Sequence, residues 1–214
     1  MRCTGGQHPR TGPRRCVGVR VQTRGDRAVD EGAAGPAAGR YELDVAHSYI
    51  GFAVRHLAVA TVRGRFSEFD GVFVVGDGGT DAPVRSVHVV IEAGSVDTCN
   101  ARRDDHLRSA DFFDVATHPA WTFTSTAVRP TAPGAFDVDG ELTIRGITRP
   151  VTLSSELGGV VIDPYGERRM GFTAAGEIDR QDFGVSFGAV LDGGGLVVAN
   201  QVRIEVEAEA VLRR

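Results

Sequence analysis

The run AFDVDGELTIR, residues 135–145, sets Phe136, Val138, Gly140, Leu142 and Ile144 at every second position, with Asp137, Asp139, Glu141, Thr143 and Arg145 between them. Successive side chains of a strand point to opposite faces, so this spelling builds a sheet with one dry and one wet face. RMGFTAAGEI repeats the pattern with Met170, Phe172, Ala174, Gly176 and Ile178, and QVRIEVEAEAVL with Val202, Ile204, Val206, Ala208 and Ala210. Weaker alternation marks 51–55, 61–69, 71–75, 84–92, 121–128, 151–157 and 183–191. Turn signals such as RPTAPG, RGITRP and DPYGE separate these segments. Many short strands beside one convincing helix predict an all-β domain, an antiparallel barrel or sandwich. Closing the sheet into a barrel would also remove its exposed edges.

The helix lies in SVDTCNARRDDHLRSADFF, residues 95–113. Asp97 or Thr98 suits its N-cap, Asp104 and Arg108 form an i,i+4 pair, and its end is expected near Ala110. Phe112 and Phe113 then turn inward as an apolar plug. For Arg102, Arg103 and His106 two readings stand: a solvated helix face with local ion pairs, or contacts of one or two of them to a polar or pyrophosphate head group at the mouth of a tunnel.

Charge is unevenly spread. Residues 1–39 hold seven Arg against Asp26, Asp30 and Glu31, while the whole chain has a formal net charge of −4. That leader is rich in Gly and Pro and poor in apolar residues, so it is expected to be disordered, with residues 40–214 forming one domain. The acidic domain argues against a nucleic-acid partner, and no apolar run of about 18 residues exists to span a membrane as a helix. The leader lacks the apolar stretch of a secretory signal, which points to the cytoplasm. The three cysteines, Cys3, Cys16 and Cys99, show neither a disulfide framework nor a zinc spacing, and Cys99 is expected to be inert.

The dry face is undersized in places. Gly140, Ser155, Ala174, Gly176, Ala208 and Ala210 all fall on inward positions. An eight-stranded barrel is just filled by bulky side chains, so small ones leave a void or room for an apolar guest. A tapered core is the alternative, with the small residues facing Phe52, Phe66, Trp121, Phe123 and Phe172. Spacing alone leaves both open.

Several ordered motifs carry a family resemblance. DVAHSYIGFAVRHL (44–57) is followed by VRGRFSEFDGVF, SVDTCNARRDDHLRSADFFDVATHP, VDGELTIRGITRPVTL, GFTAAGEIDRQDFGVSF and VANQVRIEVEAEA. Over residues 40–212 the chain resembles the YceI-like family of polyisoprenoid-binding, lipocalin-like proteins. The resemblance implies an extended eight-stranded antiparallel barrel with one helix packed beside it and a tunnel for a long isoprenoid or similar amphiphile. It makes Phe52, Phe66, Trp121, Phe123, Leu142, Ile144, Phe172, Ala174 and Ala208 candidates for the lining. His56, Arg102, Arg103 and His106 become candidates for the head group. The implied partner is a polyprenyl lipid, an isoprenoid quinone or a similar long-chain amphiphile, with a homodimer as a further option. Matched positions also include Asp44, His47, Asp97, Asp104, Phe112, Phe113, Arg180 and Gly184. Two residues depart from the family pattern: Arg145 stands where His is common, and Asn200 where an acidic residue or Gly is common.

Catalysis finds little support. No G-x-S-x-G elbow occurs, and His47 and Ser48, if on a strand, point to opposite faces. No H-x-H or H-x-x-x-H pair suggests a metal among His47, His56, His106, His118, Asp104 and Asp105. No cofactor, metal or catalytic residue is assigned. Besides non-enzymatic carriage or sequestration of a lipid, two functions stay open: an enzyme using His106, His47 or Asp105 as acid–base groups, and a structural stress-response module with a filled core. Burial of hydrocarbon at about 4 kcal/mol per isoprene unit would drive carriage whatever the head group.

Overall fold

The computed structural model describes residues 35–57, 59–77, 84–188 and 197–213. Of the expected leader, residues 1–34 lie outside this set. Contact with the domain begins slightly earlier than position 40, because Pro36 is buried and the Tyr41 hydroxyl donates to the Ala37 carbonyl at 3.1 Å.

The alternating segments form strands β1 (Gly39–Leu43), β2 (Tyr49–His56), β3 (Ala60–Phe66), β4 (Phe69–Val75), β5 (Val84–Glu92) and β6 (Val96–Asp97). Helix α1 (Ala101–Arg108) follows, then β7 (Ala120–Ala132), β8 (Ala135–Ile144), β9 (Ile147–Ile162), β10 (Arg168–Asp179) and β11 (Val198–Arg213). Every pairing is antiparallel. The order β1-β4-β5-β7-β8-β9-β10-β11 closes where β11 pairs with β1.

Two of the eight positions in this ring are composite. A 3-10 turn at Val45–His47 separates β1 from β2, yet both pair with β11, β1 along Ala210–Arg213 and β2 along Val198–Glu207. Likewise β3 pairs with β2, and β4 with β1. The result is an elongated barrel: β9 and β11 have 16 residues each, about 50 Å of strand at 3.3 Å per residue.

Period two holds through the walls. Phe136, Val138, Gly140, Leu142 and Ile144 of β8 are all buried, while Asp139 on the outer face accepts from Arg129 Nε at 2.6 Å and Thr152 Oγ1 at 2.7 Å. Two inward glycines serve aromatic neighbours. A Cβ on Gly140 would lie 2.5 Å from the Phe123 ring, and one on Gly64 would lie 2.4 Å from Phe52. These rings occupy the space a side chain at either position would take, so small residues here admit a neighbour rather than leave a gap.

Four expectations are corrected. The segment 183–191 is no strand where it is described: a 3-10 turn at Arg180–Phe183, capped by the Asp179 side chain on Gln181 N, ends in left-handed Gly184 (φ 72°). Helix α1 is capped by Asn100, which accepts from Arg103 N at 3.1 Å, and ends at Arg108. The expected Asp104–Arg108 pair is not formed, because Asp104 is drawn inside by Thr98 while Arg108 meets Asp105 at 3.2 Å. Cys99 is disulfide-bonded rather than a free thiol; the other two cysteines lie outside the described residues.

His47 sits on the 3-10 turn, not on a strand, and its Nδ1 lies 2.9 Å from Asp44. Arg169 of β10 reaches Asp44 and Asp163, each at 2.7 Å, and also Glu209, so it ties β10, β11 and the β1–β2 break together. Asp44, His47 and Glu209 are close enough to share a cation, but the Arg169 guanidinium already supplies the charge. The hydrogen bond to His47, and then Arg169, hold the Asp44 carboxyl down at about 2, below its ordinary 3.8. A depressed carboxyl stabilises the fold above its unfolded value and loses that contribution as it protonates. Melting temperature should therefore fall as pH drops from about 4 to about 2. Asp44→Asn should melt lower than the parent at neutral pH and show a shallower fall across that window. Overlapping melting profiles for the two proteins would remove this role.

Candidate functional site

The ring is not filled. A cavity of about 400 Å³ runs inside it, within the size range of small-molecule sites. Its wall passes from Val84, Val128, Phe136 and Leu157 at the β7–β8 turn to Val198, Phe187 and His56 near α1. Along β11 the lining residues Val198, Val202, Ile204, Val206 and Ala208 cover about 33 Å of strand, or about 25 Å along the axis of a barrel tilted by about 40°.

All nine residues expected in the lining are there: Phe52, Phe66, Trp121, Phe123, Leu142, Ile144, Phe172, Ala174 and Ala208. Aromatic rings gather toward the α1 end. Trp121 lies 5.0 Å from Phe66 and 4.7 Å from Phe113, both edge-on, and Phe52 lies 6.0 Å from Phe66. Ala174, Ala208 and Ser155 also line the cavity, beside Phe172, which pairs with Ala208 and meets Phe73 at 4.6 Å. The Trp121 Nε1 donor is buried without a hydrogen-bond partner among the described residues, and the Phe66 and Phe113 rings cross the indole edge-on.

Helix α1 packs beside the barrel and turns one face to the cavity. Arg103, His106 and Leu107 line it together with Phe112 and Phe113, whereas Arg102 is exposed and outside the lining. Of the four expected head-group residues, His56, Arg103 and His106 are thus brought to one end, and Arg102 is not. The helix is fixed by polar anchors. Buried Asp104 accepts from the Thr98 amide at 2.9 Å and from its hydroxyl, and Arg103 donates to the same hydroxyl and to the Thr98 carbonyl at 2.7 Å each. Arg108 donates to the carbonyls of Gly94 and Val96. Arg145, left-handed at φ 52°, donates to the carbonyls of Phe112 and Gly184 and so joins the Phe plug to the rim of β10.

The residue that sequence reasoning did not single out for the site is Arg180. It lines the cavity, is only 5% exposed, and donates to the carbonyls of Val185, Phe187, Ala199 and Val198 and to Asn200 Oδ1. Burial pushes its guanidinium below the ordinary value, against the opposing pull of Asp179. Phe187 was equally unforeseen; its ring stacks edge-on with His106 at 4.9 Å. Arg180 stands among Asp179, Gln181 and Asp182, and nothing in that polar run marks it as buried. No carboxylate is among the described residues that line the cavity.

A closed antiparallel barrel with a long apolar lumen and a polar end under a helix defines a lipocalin-like binding protein. The YceI-like domain matches residues 41–210, and the chain belongs to that family. Protein YceI of Salmonella newport is 41% identical over 151 residues, which span 70% of this chain and 78% of that protein. The YCEI protein of Campylobacter jejuni shares the fold with a TM-score of 0.65 at 28% identity, over 75% of this chain and 90% of that one. A polyisoprenoid binding domain from Saccharophagus degradans superposes with a TM-score of 0.60 at 16% identity, over 83% of this chain and all (100%) of that one.

The Thr98 hydroxyl serves a buried carboxylate and a guanidinium at once. Thr98→Val keeps the shape and removes both bonds, and should cost about 1–3 kcal/mol, read as a lower urea midpoint. An unchanged midpoint would show that α1 does not depend on this anchor.

Proposed function

We propose that the protein binds a long apolar isoprenoid-type lipid in the barrel lumen and carries or sequesters it without chemical change. The observation that carries this reading is a continuous apolar cavity, capped at one end by Arg103, Arg180, His56 and His106. Hydrocarbon enters such a space favourably at about 0.8 kcal/mol per CH₂, or about 4 kcal/mol per isoprene unit. Association costs of about 4–15 kcal/mol are offset by a few buried units. Membership of the YceI-like family, and the fold shared with a polyisoprenoid binding domain, support the same ligand class. A polyprenyl lipid or isoprenoid quinone fits the lining; the head group rests against His56, Arg103 and His106.

Organic extraction of the purified protein, followed by mass spectrometry, separates the readings. A stoichiometric long-chain lipid supports carriage, turnover products an enzyme, and an empty extract a structural module. The lumen gives a second test. Ala174→Phe or Ala208→Leu places bulk in the lumen and should weaken binding of a fluorescent lipid at least tenfold, about 1.4 kcal/mol, while the far-ultraviolet circular dichroism of the barrel is retained. Binding equal to the parent's in both variants would contradict lumenal carriage. Trp121, the single tryptophan, reports occupancy directly, because it lines the cavity.

A further inference from the structure

Three large apolar side chains stand exposed together at the tip of the β9–β10 hairpin. Val161 is 60% exposed, Ile162 65% and Tyr165 90%. Pairing of β9 with β8 ends at Glu156, whereas β9 continues to Ile162 and pairs there with Arg168 of β10. The tip therefore projects past the β7–β8 turn, clear of the cavity lining. Val161 and Ile162 are successive strand residues and point to opposite faces, so both faces of the tip are apolar. The turn itself is held in place. Asp163 accepts from the amides of Tyr165 and Glu167 at 2.9 Å each and from Arg169 Nε at 2.7 Å. Tyr165 is thus presented without the ordering cost of a loose loop.

The chain enters the barrel at this same end. Gly39 of β1 pairs with Val75 and Arg40 with Arg213, and Arg213 meets both Glu42 of β1 and Glu167 of the hairpin turn. The sequence that precedes this entry is strongly basic. Residues 1–25 contain Arg2, Arg10, Arg14, Arg15, Arg20 and Arg24 and no Asp or Glu. With seven Arg against three acidic residues, positions 1–39 sum to +4, which leaves −8 for the rest of a chain of net −4. Positive charge is attached where the exposed apolar residues are. The carboxylates at the tip are already paired, Asp163 with Arg169 and Glu167 with Arg213.

We infer that this end of the protein docks on an anionic lipid bilayer, with the hairpin tip among the head groups and the basic leader against the charged surface. A tip that is apolar on both faces suits a medium that surrounds it, whereas a protein partner would cover one face. Tyrosine joins an apolar ring to a polar hydroxyl and suits the boundary between head groups and hydrocarbon. One small apolar anchor gives weak, reversible attachment, and a polybasic segment supplies the second signal that makes it firm. The acidic barrel is repelled by the same surface, so the separation of charge also sets the orientation. Docking of this kind is independent of what the lumen holds, because the tip lies outside the cavity.

Co-sedimentation of the full-length protein with lipid vesicles reads the contact. Phosphatidylcholine vesicles containing about one-third phosphatidylglycerol should bind about tenfold or more tightly than pure phosphatidylcholine at low salt, and about 1 M salt should erase most of that preference. Ile162→Ser combined with Tyr165→Ser should weaken binding to the anionic vesicles at least several-fold. Both side chains are exposed, so the circular dichroism of the barrel is retained. Arg14→Gln, Arg15→Gln, Arg20→Gln and Arg24→Gln together should remove the preference for anionic vesicles. Val59→Ser, exposed on the β2–β3 turn at the opposite end, should bind as the parent does. Equal binding to the two vesicles, binding to neither, or full binding by the tip variant would overturn the docking. Loss of binding in Val59→Ser alone would move the contact to the other end and overturn it too. A second copy of the chain is the rival occupant. A dimer in analytical ultracentrifugation that Ile162→Ser dissolves, without vesicle binding, would assign the tip to self-association instead.

Discussion

Strand β11 bonds along one edge to β10 over its whole central length, and along the other first to β2 and then to β1. The ring can close only because this one strand serves both halves of a broken partner. The break at Val45–His47 absorbs the change of direction, and Arg169 holds it by gathering Asp44, Asp163 and Glu209 from three chain segments. Register then follows for every other strand, because slipping any one of them by a residue would turn its apolar set outward. An eight-position ring fixes the bore, and side-chain size decides what remains inside it.

What remains is a lumen lined by apolar side chains of unequal size. Phe52, Phe66, Phe113 and Trp121 interlock near α1 and make a dense aromatic wall. Gly140 and Gly64 allow Phe123 and Phe52 to lie close to the backbone while still lining the bore. Ala174 and Ala208 line it as well. Protein interiors otherwise pack to about 0.74 of their volume, so a cavity of this length lined by apolar groups is favourable for hydrocarbon and offers water no partners.

Much of this was legible beforehand, for a definite reason. Period-two spelling in β8, β10 and β11 states which residues face inward, which gives Leu142, Ile144, Phe172, Ala174 and Ala208 of the lining; Phe52, Phe66, Trp121 and Phe123, on more weakly alternating strands, came with the family resemblance. Parity does not state where a strand stops. The segment 183–191 continues to alternate, yet Asp179 caps a turn and Gly184 takes a left-handed conformation, so the chain leaves the sheet at Arg180. The helix cap was misplaced because Asp97, Thr98 and Asn100 are all good cap residues; tertiary demand chose Asn100 by committing Thr98 to Asp104. Arg102, Arg103 and His106 could not be sorted into wet and dry without the helix's rotation. Arg180 is the harder case, because a buried arginine bonded to carbonyls leaves no pattern in sequence: its partners at 185, 187, 198 and 199 are backbone oxygens, which any residue supplies.

The same distinction separates affinity from orientation. Apolar lining is non-directional, and a chain sliding along a uniform bore gains as much in one polarity as in the other. Arg103, Arg180, His56 and His106 break that symmetry at a single end, while the other end closes on Val84, Val128, Phe136 and Leu157. Arg145 adds mechanical definition by fastening the Phe112 segment to Gly184, so the helix and the rim of β10 present these groups as one surface. Its presence where the family often has histidine is thereby given a physical content: a guanidinium bridges two carbonyls with one terminal nitrogen, which an imidazole nitrogen, with at most one N–H, cannot do. Asn200, the other departure, gives Arg180 an amide oxygen where an acidic residue or Gly is common. The cavity is thus apolar along most of its length and polar at the α1 end.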